Sequence, residues 1–312
     1  MAVGVLFFGI DELYKTLKPQ YTKLVASGDF EISAYAKIED NKITWFDANG
    51  KESGIKNVVL NFAIVSSEKN FYRQIKMLEK MGVPRKKIID GRVFQIQNLD
   101  IHGFLNSGVV YAPMKGSFLK DISHCIYPRV YQSDNQKFEI KLGLKSYISA
   151  ADFEGVGVVE IGNFSAIGWK TLFELRMNNY HNYKNVSSFP AEVWDDELPE
   201  NFSNPLGDCK IKIGNDVWIG RGAILKSNNP ARPLIIGDGA VIAADSVVVK
   251  NVPPYAIVGG NPARFLKYRF SEDIIESLLR IKWWNWDLNK IYENFKYFNR
   301  VEEFIAMHDI RN

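Results

Sequence analysis

An interval of six residues separates the aliphatic positions of the segment 213–263, and this spacing constrains the fold more than any other feature of the chain. The positions are Ile213, Ile219, Leu225, Ile236, Ile242 and Val248, with one interruption between Leu225 and Ile236. Neither the 3.6-residue period of an α-helix nor the two-residue alternation of a strand produces this interval. It is typical of a β-solenoid with three short flat faces per coil, with aliphatic side chains inside and small residues at the corners. We therefore predict a parallel β-helix.

Length and charge limit what the rest of the chain can be. The 312 residues are enough for two domains, and a hydrophobic fraction of 46% predicts a folded core. The formal net charge of +3 is too small to indicate a nucleic-acid or membrane-surface partner. No apolar stretch approaches the ~20 residues of a membrane helix. The start, MAVGVLFFGIDE, lacks the basic region and cleavage site of a signal peptide. We expect a cytoplasmic protein that does not insert into membranes.

The two cysteines, Cys125 and Cys209, lie far apart and have no metal-ligand spacing. Reduced thiols are therefore favoured over a disulfide or a metal site. We expect no metal cofactor.

Residues 1–95 contain no hexapeptides and instead alternate buried strands with helical patterns. The apolar run 3–8 precedes a helical pattern over 11–18, and the run 58–65 precedes an amphipathic stretch over 68–81. This order predicts a small open α/β domain of Rossmann-like type with a parallel sheet. Such sheets bind ligands at the carboxyl ends of their strands, so the candidate ligand-binding residues here are Gly9, Asp11 and Asn61. The full G-x-G-x-x-G fingerprint is missing, so a simple turn glycine is equally compatible with Gly9.

The remaining boundaries follow from where the hexapeptides begin and stop. Residues 96–145 hold short apolar runs and are interpreted as a β-rich connector, and residues 146–268 form the β-helix domain. A polar, Asn-rich loop over 171–210 suspends the repeat, and loops of this length are usually functional or disordered. A second interruption, at 226–235, is expected next to the donor-binding turn, and helices are expected over 269–312.

Three strings resemble the hexapeptide acyltransferases, and within them the xenobiotic acetyltransferases, which acetylate chloramphenicol and streptogramins. The strings are IGNDVWIG at 213–220, IIGDGAVIAADSVVVKNVPPYAIVGGNPAR at 235–264 and RFSEDIIESLLRIKWWNW at 269–286, within a resemblance that covers roughly 146–290. It implies a left-handed parallel β-helix, a homotrimer with active sites between neighbouring chains, and acyl-coenzyme A as donor. The predicted fold is mainly β, with an α/β domain before the β-helix and a short helical segment after it.

The candidate catalytic residue lies in the long loop. Acyl transfer from a thioester requires removal of the acceptor's proton and stabilisation of an oxyanion, and imidazole titrates near physiological pH. The family has a histidine followed by a Ser-Thr-Phe/Tyr-Pro element. Here His181 is followed at the same offset by the element 187–190, SSFP, so the resemblance implies that His181 is the general base. Lys184 departs from the family, which usually has an acid there. A structural role for His181 is the alternative.

Further site residues follow from position or from the resemblance. Glu174 and Asn179 precede His181 and are candidates to orient its ring or to contact the acceptor, although a solvated role is equally open for Glu174. The resemblance implies that Trp218 walls the acceptor cleft, with packing at the trimer interface as the alternative. It also places coenzyme A along six residues: Ala243, Ala244, Gly260, Pro262, Arg264 and Lys267. The last two would serve its phosphates as charge-assisted donors, or are simply solvated.

Three functions are compatible with the sequence. The chain resembles hexapeptide enzymes that N-acylate nucleotide-linked amino sugars, some of which have a front domain that holds the nucleotide. We therefore expect an acyl-coenzyme A-dependent N-acyltransferase for a dTDP- or UDP-linked deoxyamino sugar of cell-surface polysaccharide such as lipopolysaccharide O-antigen. The alternatives are an O-acetyltransferase that acts on a sugar or antibiotic hydroxyl, and a nucleotide-binding scaffold without catalysis.

Overall fold

The computed structural model describes residues 3–10, 12–28, 30–39, 42–52, 62–66, 71–95, 101–114, 116–121, 127–134, 137–175, 186–187 and 209–309. The chain divides into two compact units. The first comprises Met1–Leu99 and Leu288–Glu293, and the second comprises Asp100–Asp287 and Asn294–Asn312. The C-terminal helical region is therefore shared between the two units.

The first unit is a five-stranded sheet with helices. Its elements are β1 Val3–Phe8, α1 Glu12–Ala26, β2 Phe30–Glu39, β3 Lys42–Asp47, β4 Phe62–Val65, α2 Phe71–Lys80 and β5 Ile88–Asp90, with short 3-10 helices at Arg85–Lys87 and Gly91–Gln95. The strand order is β3-β2-β1-β4-β5. All neighbours are parallel except β2 and β3. Because β1 continues to β2 on one side while β4 continues to β5 on the other, the order reverses between β1 and β4, which makes this the topological switch point of the sheet.

Burial explains these elements. The strand β1 is apolar throughout, and Val5 to Phe8 are at most 1% exposed, as expected of a strand covered on both faces. Helix α2 buries residues spaced three and four apart, Phe71, Gln74, Ile75 and Leu78, so one helical face is inside. The segment 288–293 belongs to this unit because Ile291 is buried and Tyr292 stacks on Tyr72, with ring centroids 5.1 Å apart.

The second unit begins with the predicted connector. Its elements are α3 Ile101–Ser107, β6 Val110–Met114, β7 Phe118–Asp121, β8 Arg129–Ser133 and β9 Phe138–Leu142. The strands β6, β8 and β9 extend a sheet that the β-helix strands continue. The connector is thus β-rich, and it forms part of the compact unit that contains the β-helix.

The β-helix follows. Its strands are β10 Tyr147–Gly155, β11 Gly157–Ile161, β12 Ala166–Leu175, β13 Cys209–Ile213, β14 Trp218–Ile219, β15 Ile224–Ser227, β16 Leu234–Ile236, β17 Val241–Ile242, β18 Val247–Val248, β19 Ala256–Gly259 and β20 Arg264–Tyr268. After them come helices α4 Glu272–Ile281, α5 Leu288–Asn294 and α6 Val301–His308, with 3-10 helices at Trp283–Asn285 and Phe295–Tyr297.

The strands stack into three faces. The first face contains β9, β11, β13 and β16. The second contains the starts of β10 and β12, then β14, β17 and β19, with β20 returning antiparallel to β19. The third contains the ends of β10 and β12, then β15 and β18. The six repeat residues pair in register as Ile213 with Ile236, Ile219 with Ile242 and Leu225 with Val248, and each is at most 4% exposed. The hexapeptide prediction is confirmed.

Small residues and side-chain amides make the corners possible. A Cβ on Gly220 would lie 2.6 Å from the Ala244 backbone nitrogen, so only glycine lets the coils approach there. At the corner between the first and second faces, Asn215 Oδ1 accepts from the Asn163 backbone N–H at 2.8 Å. Asp238 Oδ1 accepts from the Asn215 backbone N–H at 2.7 Å. These side chains accept hydrogen bonds from the corner N–H groups, which are not paired between strands.

Both interruptions of the repeat leave the coil at one corner, between the third and first faces. We call it the loop corner and define it by Leu175, Cys209, Ser227 and Leu234. Strand β12 runs to Leu175 and β13 starts at Cys209, so both ends of the predicted loop 171–210 belong to strands. Leu175 pairs with Ser227, which stacks the second interruption beside these ends. Ala243 and Ala244 lie at the corner between the second and third faces, so the second interruption and the predicted donor-binding turn occupy different corners of one chain.

A buried ion pair lies beside β10, the strand at the start of the β-helix. Arg129 Nε is 2.9 Å from Asp121 Oδ2, and the two side chains are at most 1% exposed. The Tyr131 hydroxyl donates to the same carboxylate at 2.5 Å, and Arg129 Nη2 donates to the Ser146 carbonyl. Strand β7, which carries Asp121, pairs with β10 at Ile148. The pair thus joins the connector to the start of the β-helix.

At the other end, the C-terminal helices build an aromatic core. Trp284 is buried with Tyr255, Leu278 and Phe304, and Trp283 and Trp286 pack against this cluster. The three tryptophans of the WWNW string therefore lie in or against this core.

Two adjacent isoleucines test the inward and outward alternation of β16. Ile236 is 1% exposed and Ile235 is 42% exposed. We expect Ile236→Ala to lower the free energy of unfolding by about 2–5 kcal/mol, because it removes buried methylene groups and leaves a cavity. Ile235→Ala, the matched control, should change it by no more than about 0.5 kcal/mol. Denaturant unfolding followed by circular dichroism measures both, and equal losses would contradict the assignment of the inward face.

Candidate functional site

The predicted donor residues converge at the corner between the second and third faces. We call it the Ala243 corner and define it by Ala243, Ala244, Gly260 and Pro262. The Ala243 N–H donates to the Val258 carbonyl at 2.9 Å, and the Val247 N–H donates to the Gly260 carbonyl at 3.0 Å. These bonds stack successive coils at this corner. Ala244, Gly260 and Pro262 are exposed, so the corner presents backbone to solvent.

The two predicted phosphate ligands lie on the strand that leaves this corner. Strand β20 pairs antiparallel with β19, placing Arg264 opposite Gly259 and Lys267 opposite Ile257. All five residues of β20 are exposed. The structure therefore brings Arg264 and Lys267 to the edge of the second face, near the Ala243 corner.

Trp218 lies on the same face. Its backbone pairs with Ala166 on one side and Val241 on the other, and its side chain is 58% exposed. Two residues after Trp218 the chain reaches Gly220, which abuts Ala244 of the next coil. An exposed indole therefore lies on the face that leads to the Ala243 corner.

One exposed aromatic residue here was not predicted from the sequence. Trp169 is 62% exposed, and its carbonyl accepts from the Gly222 N–H at 2.8 Å, so it lies at the turn from the second to the third face. The string IGNFSAIGW at 161–169 is in register with IGNDVWIGR at 213–221, and that alignment would have indicated its place outside the coil.

Glu174 lies elsewhere. It is on the third face next to Leu175, and its carboxylate forms an ion pair with Lys226 Nζ at 2.7 Å. It is therefore at the loop corner, at the opposite end of the third face from the Ala243 corner. Its carboxylate is engaged by Lys226, which the sequence analysis did not predict.

Gly9 lies at the carboxyl end of β1, at the switch point of the first unit. Its φ is +72°, and a Cβ there would collide with the Gln74 side-chain amide. Its N–H donates to the Ala36 carbonyl at 2.9 Å, and the Ser66 N–H donates to the Phe8 carbonyl at 3.0 Å. The positive φ thus favours glycine at this position, and a Cβ would force the Gln74 side chain to move.

Four predicted residues, His181, Asn179, Asp11 and Asn61, lie outside the described residues. Within the described ranges, no three His, Cys, Asp or Glu side chains come together in a group that could hold a metal ion. In the same part of the chain, every helix is too short or too polar to cross a membrane.

Similarity to known proteins identifies the family. No family model matches the chain. A protein from Lysinibacillus sphaericus, named a probable macrolide acetyltransferase, is 41% identical over 140 residues, which are 44% of this chain and 74% of that relative. The chain belongs to the hexapeptide-repeat acetyltransferase family. This confirms the predicted family.

Other hexapeptide-repeat acetyltransferases match a similar length of this chain. A chloramphenicol acetyltransferase from Agrobacterium fabrum is 42% identical over 142 residues, 44% of this chain and 65% of the relative. The chain thus spans about two thirds of the length of the chloramphenicol acetyltransferases that it matches.

Two solved structures are similar over part of the chain. A hexapeptide-repeat-containing acetyltransferase from Vibrio cholerae, complexed with acetyl coenzyme A, is 26% identical with a TM-score of 0.31, over 44% of this chain and 62% of that chain. AntD, an N-acyltransferase from Bacillus cereus in complex with dTDP and coenzyme A, is 18% identical with a TM-score of 0.32, over 56% of this chain and 87% of that chain.

Proposed function

We propose that the protein transfers an acyl group from acyl-coenzyme A to the amino group of a dTDP- or UDP-linked deoxyamino sugar. The product would enter cell-surface polysaccharide such as lipopolysaccharide O-antigen. The observation that carries this proposal is the first compact unit, an α/β sheet that acyl transfer itself does not need. The macrolide acetyltransferase relative matches only 44% of the chain, so more than half of the chain lies outside this match and is available for another function.

We interpret the first unit as a Rossmann-like nucleotide-binding domain, because its sheet is mainly parallel and its strand order reverses between β1 and β4. Open parallel sheets bind ligands outside the carboxyl ends of their strands where the strand order reverses. Here that point lies between β1 and β4, where Gly9 and Ser66 follow the strands. Asp11 and Asn61 are near these ends in the sequence, so they are proposed to contact the nucleotide with Gly9.

The donor is proposed to lie along the Ala243 corner of a left-handed β-helix. Its amide-rich arm would follow the exposed backbone at Ala244 and Gly260, and Arg264 and Lys267 would bind its phosphates as charge-assisted donors. Trp218 would form one wall of the acceptor cleft. The amine attacks the thioester carbonyl, the C–S bond breaks, and coenzyme A leaves as the thiol. His181 would take the proton lost by the amine, with Asn179 or Glu174 orienting its ring.

A trimer with shared active sites fits this placement. In one chain, the ends of the loop that carries His181 lie at the loop corner, while the donor residues lie at the other end of the third face. The second face exposes Trp169 and Trp218. The first face instead carries a charged row, with Glu160 bound to Lys210 at 2.6 Å. The apolar second face is therefore the proposed surface between neighbouring chains.

We expect light scattering at micromolar concentration to give the mass of three chains, against 35.6 kDa for one. Replacing the exposed indoles by acids, Trp169→Glu with Trp218→Glu, should shift the mass toward a single chain, because charge on a buried apolar interface is costly. Glu160→Gln on the first face is the control and should leave the mass unchanged. A monomer at all concentrations would contradict the shared site.

O-acetylation is the second candidate, since the relatives are named for chloramphenicol, macrolide and virginiamycin. A thiol-release assay separates the candidates. It combines acetyl- and longer acyl-coenzyme A donors with dTDP- and UDP-linked amino sugars, the corresponding hydroxy sugars, and chloramphenicol. Thiol release with an amino sugar alone supports the proposal, and release with a hydroxyl acceptor supports the alternative. Nucleotide binding without any thiol release would identify a scaffold.

A pair of glycine variants tests the nucleotide site. Gly9 and Gly50 both have positive φ, but a Cβ at Gly50 meets nothing within 4 Å. Both alanine variants carry about 1–2 kcal/mol of backbone strain, whereas only Gly9→Ala adds a collision at the switch point. We expect Gly9→Ala to weaken binding of the nucleoside diphosphate and leave coenzyme A affinity unchanged, as titration calorimetry would show. Circular dichroism checks that both variants are folded. Wild-type nucleotide affinity in a folded Gly9→Ala would place the nucleotide elsewhere.

A further inference from the structure

A cavity of about 330 Å³ lies in the second unit, away from both the Ala243 corner and the loop corner. It is at the corner between the first and second faces, where helices α4 and α6 pack. Phe270, Trp283, Phe298 and Phe304 provide aromatic walls. Its volume falls in the range of small-molecule sites, which are apolar with a few convergent polar groups.

The polar part of the wall includes Asn299 and the charged side chains of Asp216 and Arg269. Arg269 Nη1 donates to Asp216 Oδ2 at 2.9 Å and to the Gly239 carbonyl at 2.8 Å. Both hydrogens of Nη1 are used by these bonds, so Nε and Nη2 carry the remaining donors. The guanidinium lies over the Tyr255 and Phe270 rings, with Cζ 5.2 and 5.3 Å from their centroids. Two hydrogen bonds and two ring contacts therefore hold Arg269, and its guanidinium lies beside the Asp216 carboxylate, which is an acceptor.

The charged pair is partly buried, with the Asp216 and Arg269 side chains each 28% exposed. Burial raises the pKa of Asp216, and the neighbouring Arg269 opposes this rise. Burial also raises the pKa of Tyr255. A fully hydrated ion would lose its hydration without a matching charge here, because Asp216 and Arg269 already neutralise each other. A neutral aromatic molecule fits both the rings and the paired charges.

We propose that this cavity binds a small neutral aromatic lactam or primary aryl amide. The N–H of the ligand would donate to the Asp216 carboxylate, its carbonyl would accept from Arg269, and its ring would pack among Phe270, Trp283 and Phe304. Because the cavity lies at a third corner, this ligand would not compete with an acyl donor at the Ala243 corner. It would stabilise the C-terminal helices against the β-helix, because it binds only the folded unit.

Carbostyril, a bicyclic lactam, tests the proposal on the full-length protein, with naphthalene as the matched ring without the amide. We expect saturable carbostyril binding that shifts the methyl NMR signals of Leu278 and Val301, which line the cavity. Val301→Phe fills the space and should weaken both ligands. Arg269→Lys keeps the charge but changes the donor geometry. It should weaken carbostyril about tenfold, the loss expected for one hydrogen bond to a charged group, and leave naphthalene unchanged.

The methyl NMR signals of the wild-type protein test whether carbostyril binds in the cavity, even if a variant fails to fold. Leu278 and Val301 signals that stay unshifted at the solubility limit of carbostyril would overturn the proposal. Equal weakening of both ligands by Arg269→Lys would overturn the amide assignment, because the polar wall would then play no selective part.

Discussion

Replacing His181 by alanine or asparagine is expected to lower kcat at pH 7 by roughly 10²- to 10⁴-fold, the usual contribution of a general base. The affinity for acyl-coenzyme A should change little, because the imidazole acts on the proton of the acceptor. Thiol release at saturating donor measures the first quantity, and titration with coenzyme A measures the second. Asn182→Ala, in the same loop, is the control and should keep most of the activity.

The pH profile adds an independent test of His181. A base must be neutral, so the wild-type rate should fall as pH drops through the ordinary histidine pKa of about 6.5. The amine acceptor also becomes protonated at low pH, so the wild-type profile must be compared with that of the variant, in which the histidine component is absent. Full activity of both His181 variants from pH 6 to 8 would assign it a structural role.

The second large effect is expected at the buried ion pair of Asp121 and Arg129. Asp121→Ala leaves the guanidinium charge buried, which typically costs about 3–5 kcal/mol of folding free energy. We expect a loss of this size in denaturant unfolding followed by circular dichroism. Replacing both partners by apolar residues, Asp121→Leu with Arg129→Met, should recover part of it, since no unpaired charge remains.

An exposed ion pair provides the control. Arg300 Nη1 lies 3.3 Å from Glu303 Oε2, and the two side chains are 58% and 57% exposed. Glu303→Ala should cost less than about 1 kcal/mol, because solvent screens the pair. A loss from Asp121→Ala no larger than that from Glu303→Ala would show that the buried pair does not stabilise the junction.

The β-helix could be predicted because its repeat is local. Each of the six repeat positions from Ile213 to Val248 carries an aliphatic residue, so their spacing alone predicts the coil. By contrast, β2 and β3 were not predicted, although EISAYAKIE and KITWFD flank Asp40 and Asn41, two residue types that favour turns. The turn residues between the two strands are the sequence signal that indicates them.

Site residues were harder to predict, because contacts between distant segments have no period. Glu174 pairs with Lys226 across coils, and the position of the second interruption depends on which corner each turn occupies. Neither is visible until strands are placed in register. The predicted loop begins too early for another reason. Thr171, Phe173 and Leu175 continue the inward alternation of β12, but they lie in a segment whose polar composition indicates a loop.

The segment Leu288–Glu293 has a consequence for how the protein is made. It completes the first compact unit, yet about 190 residues separate it from Leu99, the end of the other part of that unit. At ribosomal rates of about 5–20 residues per second, synthesis of the intervening chain takes roughly 10–40 s. During that time the partners of Ile291 and Tyr292 remain uncovered. The larger part of this unit is therefore synthesised well before the segment that completes it.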